Sequence, residues 1–119
     1  MKHFFLSIVF FSGCLLSANA QVKAVKTVKI SLPTINCEMG KGQIETYLKR
    51  YDGIGAITVN VKKKEATVKY LVDRITEEEV KTAIANAGYD ANEITADEGA
   101  YKRLPVCCKK PEDGGKKKN

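Results

Sequence analysis

Cysteine is the residue type in this sequence best suited to chemistry, and its placement along the chain is uneven. Four cysteines occur among 119 residues: Cys14 in an apolar N-terminal stretch, Cys37 near the middle, and the adjacent pair Cys107 and Cys108 near the end. The single histidine is His3, which argues against a histidine base or a histidine-rich metal site. Thiolates bind soft cations, or they oxidise to disulfides. The sequence therefore points to metal-binding or disulfide chemistry.

The first twenty residues have the pattern of a secretory signal peptide. A basic start at 1–3 precedes an apolar run at 4–11, and residues 18–20 read Ala-Asn-Ala, a small-residue cleavage site. The apolar run is shorter than the roughly 20 residues that a membrane-spanning helix needs. We expect cleavage after residue 20 and export, with the periplasm as the destination. Attachment of a lipid at Cys14 is the alternative, and it would give a membrane-anchored form.

Loss of residues 1–20 leaves three cysteines, an odd number that cannot pair completely within one chain. In an oxidising compartment the ordinary expectation is a disulfide. It would join Cys37 to one of the later cysteines, or join Cys107 to Cys108. The unpaired thiol would then be free for a ligand or for a second chain, so a homodimer through Cys37 is one interpretation.

The overall composition is that of a folded domain with a basic surface. Hydrophobic residues make up 44% and charged residues 29%, and the formal net charge is +6. The length suits one domain. Lysine runs at 62–64 and 116–118 are compatible with nucleic-acid binding. Because export argues against that partner, we expect solvated lysines and no nucleic acid.

Hydrophobic periodicity predicts an α+β domain over residues 21–95. Alternating apolar residues predict strands, and apolar residues at helical spacing predict two amphipathic helices around 44–51 and 80–87. Thr76 to Glu79 forms a capping box at the start of the second helix, and Gly88 ends it. With a short last strand at 89–94 the order is βαββαβ, a ferredoxin-like fold. Two helices would cover one face of a four-stranded antiparallel sheet, followed by a flexible, cysteine-containing tail at 96–119.

The segment before Cys37 resembles the metal loop of the heavy-metal-associated domain, the family of copper chaperones and mercury-binding periplasmic proteins. The likeness rests on residues 28–37, VKISLPTINC, and continues through 51–54, 66–70 and 83–90. In the family the loop reads Met-x-Cys-x-x-Cys, and two thiolates hold a soft ion such as Cu(I), Hg(II) or Zn(II). Here Ile35 stands at the Met position and Gly40 at the second Cys. The resemblance therefore implies a non-enzymatic metal-binding module of which only Cys37 matches the ligand pair.

We expect the tail to supply the missing sulfur ligands. If the chain after residue 95 folds back, Cys37 meets the ion first and Cys107 with Cys108 closes the site. By resemblance, Tyr89 would shield the thiolates, although it is equally interpreted as a core tyrosine. Met39 could offer a thioether to Cu(I), although packing is the commoner role of a methionine.

The sequence thus predicts an exported soft-metal chaperone or scavenger that exchanges its ion between thiolates. The acceptor would be a metal-transporting membrane protein or another thiol-bearing protein. The alternative is a metal-free structural or interaction module of the same fold with bridged cysteines. A thiol-redox enzyme is disfavoured because the Cys-x-x-Cys pair is absent.

Overall fold

The computed structural model describes residues 24–115, in which an antiparallel sheet is covered by helices. The predicted signal peptide at 1–20 and the last lysine run lie outside the described residues. Among the residues that are described, no helix is long and apolar enough to cross a membrane. The helices and strands, in chain order, are β1 (Val25–Ser31), α1 (Glu38–Leu48), β2 (Ile54–Asn60), β3 (Glu65–Leu71), α2 (Glu77–Asn86) and α3 (Glu98–Lys102).

The sheet has the strand order β1-β3-β2, and both pairings are antiparallel. Because successive side chains of a strand point to opposite faces, the alternating pattern gives the sheet one apolar face. The buried residues on that face are Ile30, Val59, Ala66, Val68 and Tyr70. The helices α1 and α2 add Ile44, Leu48, Val80 and Ile84 to the same core.

The predicted start and end of α2 are confirmed. The Thr76 hydroxyl accepts a hydrogen bond from the Glu79 amide at 3.2 Å, and the Thr76 amide donates to the Glu79 carboxylate at 2.7 Å. Gly88 follows the helix with φ of +101°, a conformation that residues with a Cβ rarely adopt. Both ends of α2 are therefore set by local sequence.

The fourth strand predicted at 89–94 does not form, and within residues 24–115 the sheet has three strands. Ala91 and Ile94 instead make an isolated bridge across a tight turn, in which Asn92 has a φ of +51°. The Asn92 amide donates to the Ser31 carbonyl at 2.9 Å, and the Ser31 amide donates to the Asn92 side chain at 2.7 Å. Because Asn92 satisfies the Ser31 amide and carbonyl at the end of β1, no strand pairing with β1 follows there.

Residues 95–115, hereafter the C-terminal segment, fold against the domain. The Asp97 amide donates to the Ala85 carbonyl at 2.9 Å, and the Asp97 side chain caps α3 by accepting from the Ala100 amide at 2.7 Å. Leu104 is buried against Gly88. Two 3-10 turns follow, at Val106–Cys108 and Pro111–Asp113. The sequence predicts a flexible tail for this segment. The contacts that hold it are long-range or confined to single turns, so they leave no periodic pattern that a reading of the sequence could detect.

Candidate metal centre

The loop at residues 32–37, called the metal loop after the family segment that it resembles, connects β1 to α1. It is anchored by buried aliphatic residues. Leu32 and Ile35 are fully buried, and the Ile35 amide donates to the Leu32 carbonyl at 3.1 Å. Cys37 is the N-cap residue of α1, but its sulfur makes no capping hydrogen bond. The thiol is therefore available for other partners at the start of the helix.

The C-terminal segment brings both of its cysteines to this loop. Cys107 and Cys108 lie in the 3-10 turn that follows Leu104 and Pro105. The Asn36 side-chain amide, next to Cys37 in the loop, donates to the Lys109 carbonyl at 2.7 Å. This hydrogen bond joins residues that are 73 positions apart in the sequence and fixes the turn over the metal loop.

The three thiols form a compact cluster, here called the cysteine cluster (Cys37, Cys107 and Cys108). The sulfur of Cys108 lies 2.9 Å from that of Cys37 and 3.9 Å from that of Cys107, and all three sulfurs lie within 4.8 Å of one another. An ion held in plane by three thiolates at about 2.3 Å would place the sulfurs about 4 Å apart. The Cys37–Cys108 pair would need to open by about 1 Å to accept such an ion.

Burial differs sharply among the three thiols. Cys108 is 1% exposed, Cys37 is half-buried, and Cys107 is exposed to solvent. Burial raises the pKa of Cys108 to about 12, helped by the hydrogen bond it shares with the Cys37 sulfur and opposed by the Tyr89 hydroxyl. Metal-free Cys108 therefore keeps its proton near neutral pH, and a cation that binds its sulfur must displace that proton.

Tyr89 fills the space that a side chain at position 40 would occupy. It is 1% exposed, and its hydroxyl donates to the Gln43 side chain at 2.7 Å. A Cβ on Gly40 would lie 2.8 Å from the Tyr89 hydroxyl oxygen and 3.2 Å from its ring. Position 40, where the family has its second cysteine, therefore has no room for a side chain while Tyr89 stays in place.

The neighbouring thiols also affect the pKa of the Tyr89 hydroxyl. Its burial, together with the nearby Cys108, raises the pKa of its hydroxyl. The phenol thus stays protonated and neutral beside the cluster. The placement of Tyr89 is consistent with both interpretations drawn from the sequence, since it is a core residue whose hydroxyl also lies beside the Cys108 thiol.

Met39 is not brought into a comparable position. It is 54% exposed on the first turn of α1, and its thioether role stays a prediction. The sequence alone did not single out Asn36 or Gln43, which hold the 3-10 turn and Tyr89. Each acts through one long-range hydrogen bond, and no local pattern indicates such a bond.

Clustered thiols such as these are the ligands that soft cations prefer. The sequence model of the heavy-metal-associated domain matches residues 29–90, just over half of the chain. The chain belongs to this domain family. The domain itself is a metal-binding module and not an enzyme.

Two curated relatives show the range of proteins in which this domain occurs. The mercuric transport protein periplasmic component of Shewanella putrefaciens is 36% identical over 75 residues, which cover 63% of this chain and 81% of the relative. The copper-exporting P-type ATPase of Staphylococcus aureus strain Newman is 32% identical over 69 residues. That match covers 58% of this chain but 9% of the ATPase, so the likeness there concerns one domain of a much longer protein.

Solved structures agree on the fold. Oxidised MerP from Ralstonia metallidurans CH34 is 22% identical with a TM-score of 0.55, and the match covers 58% of this chain and 96% of that one. The metallochaperone CopZ is 24% identical with a TM-score of 0.54, covering 56% and 98%. At these identities the comparison supports the ferredoxin-like arrangement of the heavy-metal-associated domain.

Proposed function

We propose that this chain is an exported protein that captures a soft cation with Cys37, Cys107 and Cys108 and hands it to a thiol-bearing acceptor. The observation that carries the proposal is the cysteine cluster, in which three sulfurs from two distant parts of the chain lie within 4.8 Å. Soft thiolates favour Cu(I), Hg(II) and Zn(II) over hard cations. The sulfurs of the C-terminal segment take the place of the absent loop cysteine.

The number of sulfurs narrows the choice of ion. Zn(II) in structural sites takes four ligands, so it would need a water or another donor beside three thiolates. Cu(I) and Hg(II) are satisfied by fewer soft ligands. We therefore propose Cu(I) or Hg(II) as the cargo, and the names of the copper-exporting and mercuric relatives support this choice.

The same relatives support the location and the partners that we propose for this chain. The periplasmic designation of the Shewanella putrefaciens protein supports the export predicted from residues 1–20. The match to one domain of a P-type ATPase supports a membrane transporter as the acceptor. Because Cys37 finds sulfur partners within its own chain, the proposal does not require a homodimer.

The metal-free alternative is favoured by one observation, the 2.9 Å distance between the sulfurs of Cys37 and Cys108. Removal of two electrons and two protons by an oxidant would join them in a disulfide. Only the Cys107 sulfur would then remain as a ligand, and a single sulfur ligand holds a soft ion weakly. The two functions therefore differ in the reduced protein, where only the metal-binding function predicts a stable complex.

The test is metal stoichiometry of the purified, reduced protein by mass spectrometry without denaturant, with Cu(I) and Hg(II) added separately. We expect a single bound ion, and we expect Cys37→Ser and the double variant Cys107→Ser/Cys108→Ser to lose it. Val106→Ser is the matched control, since Val106 adjoins the pair, is 60% exposed and has no thiol. If the reduced protein takes up neither ion, or if Cys37→Ser binds as well as the parent, the proposed function is wrong.

A further inference from the structure

The three sulfurs of the cysteine cluster differ in how a partner can reach them. Cys107 is exposed, whereas Cys108 is 1% exposed, with its sulfur 2.9 Å from that of Cys37 and 3.9 Å from that of Cys107. Cys37 is half-buried at the start of α1. The sequence predicts Cys37 as the ligand that first meets the ion, but the most exposed of the three clustered cysteines is Cys107, in the C-terminal segment.

We propose that Cys107 is the exchange ligand, the sulfur that an acceptor thiol replaces when the ion leaves, while Cys37 and Cys108 retain the ion until last. This inference rests on the proposed function. It identifies which bond to the ion breaks first and which class of partner breaks it, a thiol that approaches from the solvent side of the 3-10 turn.

The exchange step balances without any redox change. The incoming acceptor thiol gives up its proton and forms a sulfur–metal bond, and the Cys107 sulfur–metal bond breaks. The proton passes, directly or through solvent, to the Cys107 sulfur, so the released ligand becomes a thiol. The ion keeps its oxidation state and stays bound to two sulfurs of the chain throughout.

The packing of the C-terminal segment explains why Cys108 cannot take this role. An acceptor that reaches Cys108 must first lift the turn away, which breaks the Asn36–Lys109 hydrogen bond and exposes the buried Leu104 side chain. The Cys108 amide is also tied to the Pro105 carbonyl at 2.9 Å. Replacing Cys107 requires none of these changes, because its side chain already faces solvent.

The experiment uses Cd(II) as the probe ion and glutathione as the acceptor, with anaerobic, reduced protein. Cys107→Ser and Cys108→Ser are matched variants, since each leaves two sulfurs. In Cys107→Ser the coordination position of the Cys107 sulfur is vacant and open to solvent, so an incoming thiol can occupy it directly. We therefore expect the ternary complex of protein, Cd(II) and glutathione to accumulate at about tenfold less glutathione than the parent needs. In Cys108→Ser the vacant position is enclosed, so we expect loss of the ion without a ternary complex.

A second measurement on the parent protein does not depend on the folding of any variant. Brief alkylation of the metal-free protein, mapped by peptide mass spectrometry, should label Cys107 at least about tenfold faster than Cys108, because burial limits reagent access. Equal labelling of the two residues would overturn the inference, as would a ternary complex that accumulates in Cys108→Ser and not in Cys107→Ser. Failure of the parent to bind Cd(II), Cu(I) or Hg(II) would instead overturn the proposed function.

Discussion

Two glycines in α1 allow a matched test of the conclusion that Tyr89 fills the space of a second loop cysteine. Gly40 and Gly42 lie on the same helix, but their surroundings differ. A Cβ on Gly40 would lie 2.8 Å from the Tyr89 hydroxyl oxygen, whereas a Cβ on Gly42 would meet no atom within 4 Å beyond its own stretch of helix. We therefore expect Gly40→Ala and Gly42→Ala to change the free energy of unfolding in opposite directions.

The magnitudes follow from helix propensity and overpacking. Alanine is favoured over glycine within a helix by up to about 1 kcal/mol, a gain available to both variants. At position 40 the added methyl group must displace Tyr89, which is buried and hydrogen-bonded to Gln43. Overpacking of this kind costs about 1–3 kcal/mol. Gly42→Ala should thus gain up to about 1 kcal/mol, and Gly40→Ala should fall about 1–3 kcal/mol below it.

Urea unfolding of the reduced, metal-free proteins measures this difference, provided that the m-values agree. The double variant Gly40→Ala/Tyr89→Phe extends the test, because loss of the hydroxyl removes the closest contact. We expect the cost of Gly40→Ala to be smaller in the Tyr89→Phe background. Equal stabilisation by Gly40→Ala and Gly42→Ala would refute the reasoning, since the space beside Tyr89 would then be able to accept a side chain.

Two further predictions concern the C-terminal segment and pH. Asn36→Ala removes the hydrogen bond to the Lys109 carbonyl, and since such a bond contributes about 0.5–1.5 kcal/mol, alkylation of Cys108 should accelerate roughly 2- to 10-fold. The exposed Asn86→Ala serves as the control, and an unchanged rate in Asn36→Ala would show that this bond does not hold the turn. Because the pKa of Cys108 is raised from its ordinary value of 9.0 to about 12, the unfolded chain loses this proton before the folded chain does. The metal-free protein should therefore lose stability between about pH 9 and 12, and Cys108→Ala should show a weaker decline in urea unfolding; an equal decline would count against this assignment.

The part of the fold that local patterns specify could be predicted from the sequence. Alternation specified the three strands that form, and the Thr76 capping box with Gly88 specified both ends of α2. The predicted fourth strand failed because a single residue, Asn92, uses a left-handed conformation and its side chain to terminate the pairing with β1. Apolar residues at 89–94 resemble a strand whether or not such a turn interrupts them.

The candidate site was predictable only in its residue types. Cysteine chemistry and the absent loop ligand identified the three thiols, and the structure brings them together. The order of their exposure could not be predicted, because it depends on Leu104 packing against Gly88 and on Asn36 bonding Lys109. Both contacts join residues that are distant in the sequence, so neither leaves a periodic signal.

The turn at Asn92 also determines where the chain can go next. β1 runs toward the metal loop, so a full strand antiparallel to it, starting beside Ser31, would lead away from Cys37. Seven residues at about 3.3 Å each would carry the chain about 23 Å to the opposite end of the sheet. Because no strand pairs with β1 beyond Asn92, the C-terminal segment begins at the end of the sheet that leads to Cys37. The loss of the fourth strand thus places the two thiols of the C-terminal segment near Cys37. In a domain of this kind with a complete fourth strand, the same segment would begin at the opposite end of the sheet.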